Sequence, residues 1–404
     1  MPLQRPTRVL ELIDRFEPSI GGAELMVKAL CVDLRGRGLD VRVLTRNYTG
    51  ALPTEGLVSG IPVVRRGRSG DRRLSKLRFI AAAIFYLVRN RRSYDVLHVH
   101  CCMMETDLLP AYLASLVTGN PYVVHVHNAL NLRWMFRPRR SDPLLLATRP
   151  NVLPARFWKA ALRSAASVIT IDPETEQTLE GIGLANHRRI PNGVFVRPAP
   201  PMPEERARSR RELELPEDAH IVVFSGVLRT VKNVLTLLRA WEILEAGAGP
   251  RPLRLVILGA SDNPSNSNEE ELKRFVAERG LRTVTFAGFV RNVDEYLVAA
   301  DCFVFPSLVE GMPMALLEAM GTGLPVIVSG IDEHRQLVPS DEYGLVFEPM
   351  DYRELASKLA ALLSDAEARL RLGARARQRV AEGFSRQGAA NRIEGLLREV
   401  AGRP

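Results

Sequence analysis

The stretch that decides the fold is Phe305–Ser329, FPSLVEGMPMALLEAMGTGLPVIVS. Its apolar spacing changes period along its length. With the residues just before it, the pattern predicts a short buried strand over Cys302 to Phe305, a loop over Pro306 to Pro313, a helix over Met314 to Met320 and a further strand over Pro325 to Val328. One βαβ unit therefore carries two carboxylates, Glu310 in the loop and Glu318 in the helix, with seven residues between them.

Eight helical steps span at most about 12 Å, the reach from a sugar ring to the ribose of a nucleotide-sugar. Two acceptor groups so spaced would grip the hydroxyls at both ends of one ligand. The helix start between them supplies unpaired N–H groups and a positive dipole end suited to a pyrophosphate, and Pro313 suits a helix's first turn. The plainer reading is two solvated glutamates. Against it, Glu318 sits inside Ala315-Leu316-Leu317-Glu318-Ala319-Met320, where a solvent face is hard to find, and a charge in such company is expected to be paired or bound.

Outward from this unit, the chain has 404 residues, enough for two domains that each bury a core. The formal net charge of +9 points to an anionic partner. Nucleic acid ranks last among candidates, because the basic residues are not interleaved with aromatics in any nucleic-acid motif. Cys31, Cys101, Cys102 and Cys302 lack disulfide or zinc spacing, which reads as a reduced, cytosolic protein. The opening residues carry no signal-peptide pattern, and the apolar run Phe79 to Val88 is too short to span a bilayer.

In the first half, Arg8 to Ile13 is a predicted strand, and Gly21-Gly22 opens a helix running to about Arg35, where backbone can approach a ligand closely. Arg65, Arg66, Arg68, Arg72, Arg73, Lys76 and Arg78 lead into an amphipathic helix through FIAAAIFYLV, followed by Arg89, Arg91 and Arg92. A helix packed on the sheet with solvated arginines is the favoured reading; peripheral contact with an anionic membrane stays open for the arginines. Strands end at His98 and His100, and at His125 and His127. Period-two alternation puts each pair on one face. No carboxylate partner is evident near them, so no metal site is expected. Ligands gather at the carboxyl ends of parallel strands, which makes His127 the functional candidate and His98 a structural one. Asn131 to Pro154, with Arg133, Trp134, Phe136, Arg137, Arg139 and Arg140, reads as a long loop suited to a membrane-interface or acceptor-binding lip.

Ile190-Pro191-Asn192-Gly193-Val194 closes the first domain, and the proline- and charge-rich run Arg197 to His220 reads as a linker or loose hairpin. Strand and helix then alternate again. Gly226 to Asn233 lies between a strand and a helix as a cation-bearing phosphate loop would, without the spacing of a P-loop. Gly21, Gly22, His100, His127, Gly226, Arg229, Lys232, Gly259, Val290 and Glu310 all follow predicted parallel strands at their carboxyl ends. Two doubly wound sheets with those ends facing across a cleft follow from that placement.

These residues carry a specific resemblance. GGAE (Gly21 to Glu24), DVLHVH (Asp95 to His100), the strand into His127, PNGV (Pro191 to Val194), Gly226 to Lys232, Pro306 to Ile327 and YGLVFEP (Tyr343 to Pro349) are similar, nearly end to end, to family 4 glycosyltransferases of the GT-B fold. The resemblance implies an α/β fold with two Rossmann-like, doubly wound parallel-sheet domains: 1–196 for the acceptor, 197–386 for the donor, and a closing helix, 387–404, crossing back to the first. It implies a retaining, metal-independent transferase that uses a nucleotide-sugar, by family habit a UDP-sugar, and no cofactor. The expected acceptor is lipid-linked or a growing envelope saccharide.

Position by position, Glu310 would hold donor-sugar hydroxyls and Glu318 the ribose. Lys232 would neutralise the pyrophosphate beside backbone N–H groups near Gly22 and Met314, Ala315 and Leu316, with Arg229 as a further cation. Val290 would take the base through its backbone, and His127 would lie beside the reacting centre. Three departures stand out: Val227 where the family usually has Arg, Phe195 where Asp often follows Asn-Gly-Val, and Ala260 to Pro264 in place of a glycine-rich turn. Val227 keeps a non-catalytic scaffold open as an alternative; a GT-B phosphorylase or epimerase is a second.

Overall fold

Strands form where branched and large aliphatic residues run without helical spacing, and glycine, proline or polar clusters end them. The computed structural model describes residues 5–19, 21–67, 72–102, 104–127, 132, 136, 153–247, 249, 251–261 and 267–402. Its contacts divide the chain into two units, Met1–Gly193 with Arg386–Pro404, and Val194–Ser385. The division falls before the expected Val196/Arg197 boundary because Val194 N–H already bonds Phe384 O and Arg197 N–H bonds Gly321 O, both in the second unit.

In the first unit, β1 (Arg8–Ile13), β2 (Asp40–Arg46), β3 (Glu55–Val58), β4 (Ile61–Arg66), β5 (Val96–Cys101), β6 (Tyr122–Val126), β7 (Ser167–Thr170) and β8 (His187–Arg189) form one sheet, ordered β3-β4-β2-β1-β5-β6-β7-β8. All described pairings are parallel except β3 with β4, an exposed edge hairpin that the sequence reading does not anticipate. The helices are α1 (Gly22–Gly36), α2 (Arg72–Arg89), α3 (Met104–Thr118), α4 (Ala155–Ser164) and α5 (Pro173–Gly181). Leu10, Leu12, Leu97, Val99, Val124 and Val126 bury one sheet face under α2, α3 and α4. Val9, Ile13, Val41, Val43, Val96 and Val123 bury the other under α1 and a helix formed by Arg386–Ala401. Asp172 caps α5, accepting from Thr175 N–H at 2.7 Å.

The second unit begins with a correction. The run Arg197 to His220 contains a helix, α6 (Pro203–Glu212). Proline sits at its start, Glu204 and Glu205 in its first turn and Arg210 and Arg211 in its last, an order that favours a helix end to end. Arg210 is buried and donates to Asp301 at 2.8 Å and to the carbonyls of Ala299, Glu217 and Ala219. The charges that suggest a linker thus tie α6 to the core.

Then come β9 (His220–Ser225), α7 (Val234–Ala246), β10 (Leu253–Leu258), α8 (Glu269–Glu278), β11 (Val284–Gly288), α9 (Val293–Ala299), β12 (Cys302–Phe305), α10 (Met314–Thr322), β13 (Val326–Ser329), α11 (Asp332–Leu337), β14 (Leu345–Phe347), α12 (Tyr352–Ser364) and α13 (Ala366–Gly383). The sheet is parallel, in the order β11-β10-β9-β12-β13-β14. From β9 the chain winds outward to β11 and then restarts at β12 on the other side, so the switch point lies between β9 and β12. The loops leaving those two strands are where such a sheet binds ligands. Phe224, Phe303 and Phe305 are buried beneath them, with ring centroids 5.8–6.0 Å apart for Phe305 and its two neighbours.

The chain ends its described course in α14 (Arg386–Ala401), which packs on α1 and β5 of the first unit. Arg386 holds Asp33 with two hydrogen bonds of 2.6 and 2.7 Å. No helix among the described residues is long and apolar enough to cross a membrane.

Candidate functional site

After β9, Gly226 leads into a loop that ends in a 3-10 turn, Thr230–Lys232, and in Asn233, whose backbone is left-handed (φ 54°). Asparagine tolerates that conformation, and here its side chain is also used. Asn233 Nδ2 donates to Pro306 O at 3.1 Å and its Oδ1 accepts from Thr236 Oγ1 at 2.8 Å. Leu308 N–H donates to Val231 O at 2.8 Å. These bonds lace the loop after β9 to the loop after β12 and bring two of the expected site residues together. Lys232 Nζ lies 2.6 Å from Glu310 Oε1 and 5.3 Å from the centre of the Phe305 ring. Asn233 is a residue that sequence reasoning passed over.

Beside this pair α10 begins. No side chain caps it. Met314 N–H turns back to Met312 O at 2.9 Å and Leu317 N–H takes Pro313 O at 3.1 Å. Ala315 and Leu316 therefore supply the first-turn N–H groups that the helix cannot pair internally. Pro313 stands at the cap position, one residue before the expected first turn.

Glu318 corrects the sequence reading. It is the exposed residue of α10, while Leu316, Leu317, Ala319 and Met320 are buried, so the helix does have a solvent face and Glu318 occupies it. Surrounding protein still desolvates the carboxyl, and with a smaller push from Asp294 its pKa rises to about 7.

Beneath the pair lies His334, fully buried on α11, with Nδ1 2.9 Å from Ser329 O and 3.1 Å from Ser329 Oγ. Ser329 Oγ in turn contacts Ser307 O. Burial lowers the His334 pKa to about 4, so the ring is neutral near pH 7. The sequence signal for His334 is weak, a lone histidine in a short helix.

Glycine makes the neighbouring strand ends bare backbone. Gly259 has φ +130°, and a Cβ there would stand 1.9 Å from Gly226 O. Gly226 N–H bonds Leu258 O at 3.0 Å and Gly259 N–H bonds Gly288 O at 2.8 Å. Val290 follows half-buried, packed on the core. Arg229 is half-buried, with its carbonyl accepting from Lys232 N–H at 2.9 Å, and Val227 is 36% exposed. Asp262, Asn263 and Pro264, in the departure after Gly259, fall outside the described residues.

The remaining expected site residues belong to the first unit. Gly21 is the extended cap of α1 and Gly22 its first residue. A Cβ on Gly22 would meet nothing within 4 Å, so the chain's own packing does not demand glycine there. His127 follows β6, half-buried, with its Nδ1 itself buried. The expected lip Arg133–Arg140 lies outside the described residues apart from Phe136.

Around His127 the sequence reading is corrected again. A carboxylate does lie beside the histidines: Glu11 on β1, in register with His98. Glu11 Oε2 is 2.7 Å from His100 Nε2 and 2.8 Å from His98 Nδ1, and His100 Nδ1 is 2.9 Å from His127 Nε2. Burial pushes the Glu11 pKa up, but His98 and His100 outweigh it and hold the carboxyl at about 2. Burial lowers His100 to about 4, and lowers His125 and His127 well below the ordinary range. The missed signal was a glutamate at the centre of an otherwise apolar strand, RVLELI.

The profile described as "Glycosyl transferase 4-like domain" matches residues 21–193, and that described as "Glycosyl transferases group 1" matches 205–379. The chain belongs to the family 4 type of glycosyltransferases. Alpha-D-kanosaminyltransferase from Streptomyces kanamyceticus is 25% identical, the match covering 93% of this chain and 99% of that protein. Among solved structures, sucrose-phosphate synthase from Thermosynechococcus elongatus has a TM-score of 0.78 at 23% identity, covering 98% of this chain and 99% of the other. Anabaena HepE in complex with UDP and glucose has a TM-score of 0.74 at 19% identity, covering 97% and 99%. These likenesses give this glycosyltransferase the GT-B fold.

Proposed function

We propose that this glycosyltransferase is a retaining, metal-independent enzyme that moves a sugar from a UDP-sugar onto a lipid-linked or growing envelope saccharide. The observation that carries the reading is the Lys232–Glu310 pair, set by two loops at the switch point of the second sheet and flanked by the free first turn of α10. A cation, two helix N–H groups and a hydroxyl acceptor in that order match phosphate followed by sugar. That HepE was solved with UDP and glucose supports uridine as the base.

In this reading the diphosphate takes Lys232 and the Ala315 and Leu316 N–H groups, Glu310 turns to the sugar hydroxyls, and ionised Glu318 accepts from the ribose. The anomeric carbon–oxygen bond to the diphosphate breaks as the acceptor oxygen bonds the same face. The acceptor's proton passes to the departing phosphate oxygen. Charge grows on that phosphate in the transition state, so fixed donors there lower the barrier most. His127 and the backbone of Gly22 are assigned to the sugar and phosphate as the resemblance implies. Exposed Leu77 and Phe85 on α2, with its basic residues, support peripheral contact with anionic lipid.

Val227, partly exposed where a cation would help, favours one second reading, a scaffold that keeps the fold without transfer. Calorimetry with UDP, GDP and ADP, with and without EDTA, decides between them. Binding of one diphosphate regardless of EDTA, followed by product of unchanged anomeric configuration by NMR, supports the enzyme. Binding of none moves the scaffold to first place.

A further inference from the structure

Glu11, His98, His100, His125 and His127 share one face of the first sheet, beneath α1 and α14. Glu11, His98, His100 and His125 are all at most 1% exposed. So much buried polarity on adjacent strands is costly unless it is ordered. His98, His100 and His125 bring ligand atoms within 4.8 Å of one another, a set that a metal could use. Both His100 nitrogens are already engaged, however, one by Glu11 and one by His127, so a cation would have to break a short hydrogen bond to enter.

The hydrogen-bonded chain settles proton positions by elimination. An ionised carboxylate only accepts, so His100 Nε2 carries a proton toward Glu11. In the neutral ring, His100 Nδ1 is then a lone pair, and His127 Nε2 must donate to it. His127 Nδ1 is left as a lone pair; it is buried and has no partner among the described residues. We infer that Glu11 and His100 are positioning residues that hold His127 in its Nε2–H tautomer, with Nδ1 as an acceptor for a substrate hydroxyl. This rests on the proposed place of His127 beside the sugar. It adds a restriction: the group that meets Nδ1 bears an O–H or N–H and is not a phosphate or carboxylate, to which a bare lone pair offers nothing. Among the described residues, the titratable groups facing the chain are Glu11 from β1, His98 and His100 from β5, His125 from β6 and Cys31 from α1; α14 faces the sheet with Ala390, Ile393 and Leu397.

The test is long-range nitrogen–proton NMR of the histidine rings in the full chain at about pH 7.5, with His127 assigned by its loss in His127→Gln. The expected result is a protonated Nε2 and an unprotonated Nδ1. A protonated Nδ1, or a doubly protonated ring, overturns the inference whatever the activity. So does stoichiometric zinc binding that moves the His100 resonances. His100→Phe should scramble the His127 tautomer and lower kcat by about tenfold or more with donor KM within about twofold. Unchanged kcat would remove the positioning role. Should His100→Phe fail to fold, the wild-type ring spectrum alone still decides the tautomer. A chain that transfers no sugar but shows the expected tautomer sinks the enzymatic reading and leaves the proton arrangement standing.

Discussion

Lys232 Nζ and Glu310 Oε1 are 2.6 Å apart, and their side chains are only 19% and 8% exposed. Each is the other's partner in this structure, although the proposed reaction gives them different partners on the substrate. An incoming diphosphate must therefore compete with a carboxylate for the ammonium, and the carboxylate is released to the sugar only when the phosphate has taken its place.

Glu310→Gln separates the two roles. The amide cannot neutralise Lys232, so UDP affinity by calorimetry should hold or tighten, while transfer falls by about 100-fold or more with the loss of a charged hydroxyl acceptor. Equal loss of both would contradict the assignment.

Lys232→Ala should weaken UDP by about 10- to 100-fold, the worth of a charge-assisted hydrogen bond of about 1.5–3 kcal/mol. It also leaves Glu310 nearly buried without its cation, so the melting temperature should drop. Unchanged UDP affinity would place the diphosphate elsewhere.

With Glu318 on the ribose as proposed, donor binding should depend on pH. Its folded pKa is raised from 4.5 to about 7, so its proton is retained in the folded chain and its effect on stability favours acid, fading as pH rises through about 7. The ribose contact has the opposite sign, because only the anion accepts from both hydroxyls. UDP affinity should rise between about pH 6 and 8, and Glu318→Gln should flatten that rise. A slope that survives the substitution assigns it to another group.

Arg210 and Asp301 form a buried pair that also carries Arg206 and Ile221 N–H on the same carboxylate. Asp301→Ala strands two guanidinium groups at once. A loss of about 3–5 kcal/mol in urea unfolding is expected, larger than for any exposed pair; a loss under about 1 kcal/mol would mean water replaces the carboxylate.

Gly259→Ala should be among the most damaging single methyl additions, since the new Cβ meets Gly226 O at 1.9 Å and φ stays at +130°. Reduced soluble yield, together with lost UDP binding in whatever folds, would fit; a normal melting temperature would show that the two strand ends can move apart.

How much was readable beforehand follows from sequence distance. The β12–α10–β13 unit is local, and its changes of period and its prolines gave its elements to within a few residues. Glu310 and Lys232 are 78 residues apart, and only the strand-end argument grouped them; nothing local announced that they would bond each other. Glu11 and His100, 89 apart, are not grouped at all, because Arg8 to Ile13 is read only as a strand, with no role given to its glutamate. The α6 helix was misread because the arginines that look solvated include Arg210, whose partner Asp301 lies 91 residues on. Glu318 failed in the other direction: apolar neighbours in sequence concealed a helix face only one residue wide.

The packing of α14 on the first unit bears on synthesis. Residues 194–385 are continuous and can complete their sheet as they are made, at about 5–20 residues per second. The face of the earlier sheet that receives Ala390, Ile393, Leu397 and Val400 has no such option. Val9, Val96 and Val123 wait through the making of the whole second unit, Val194–Ser385, before their covering helix leaves the ribosome. The half of the protein translated first is thus the half finished last, and a nascent chain stalled before Arg386 would expose an apolar sheet to chaperones and aggregation.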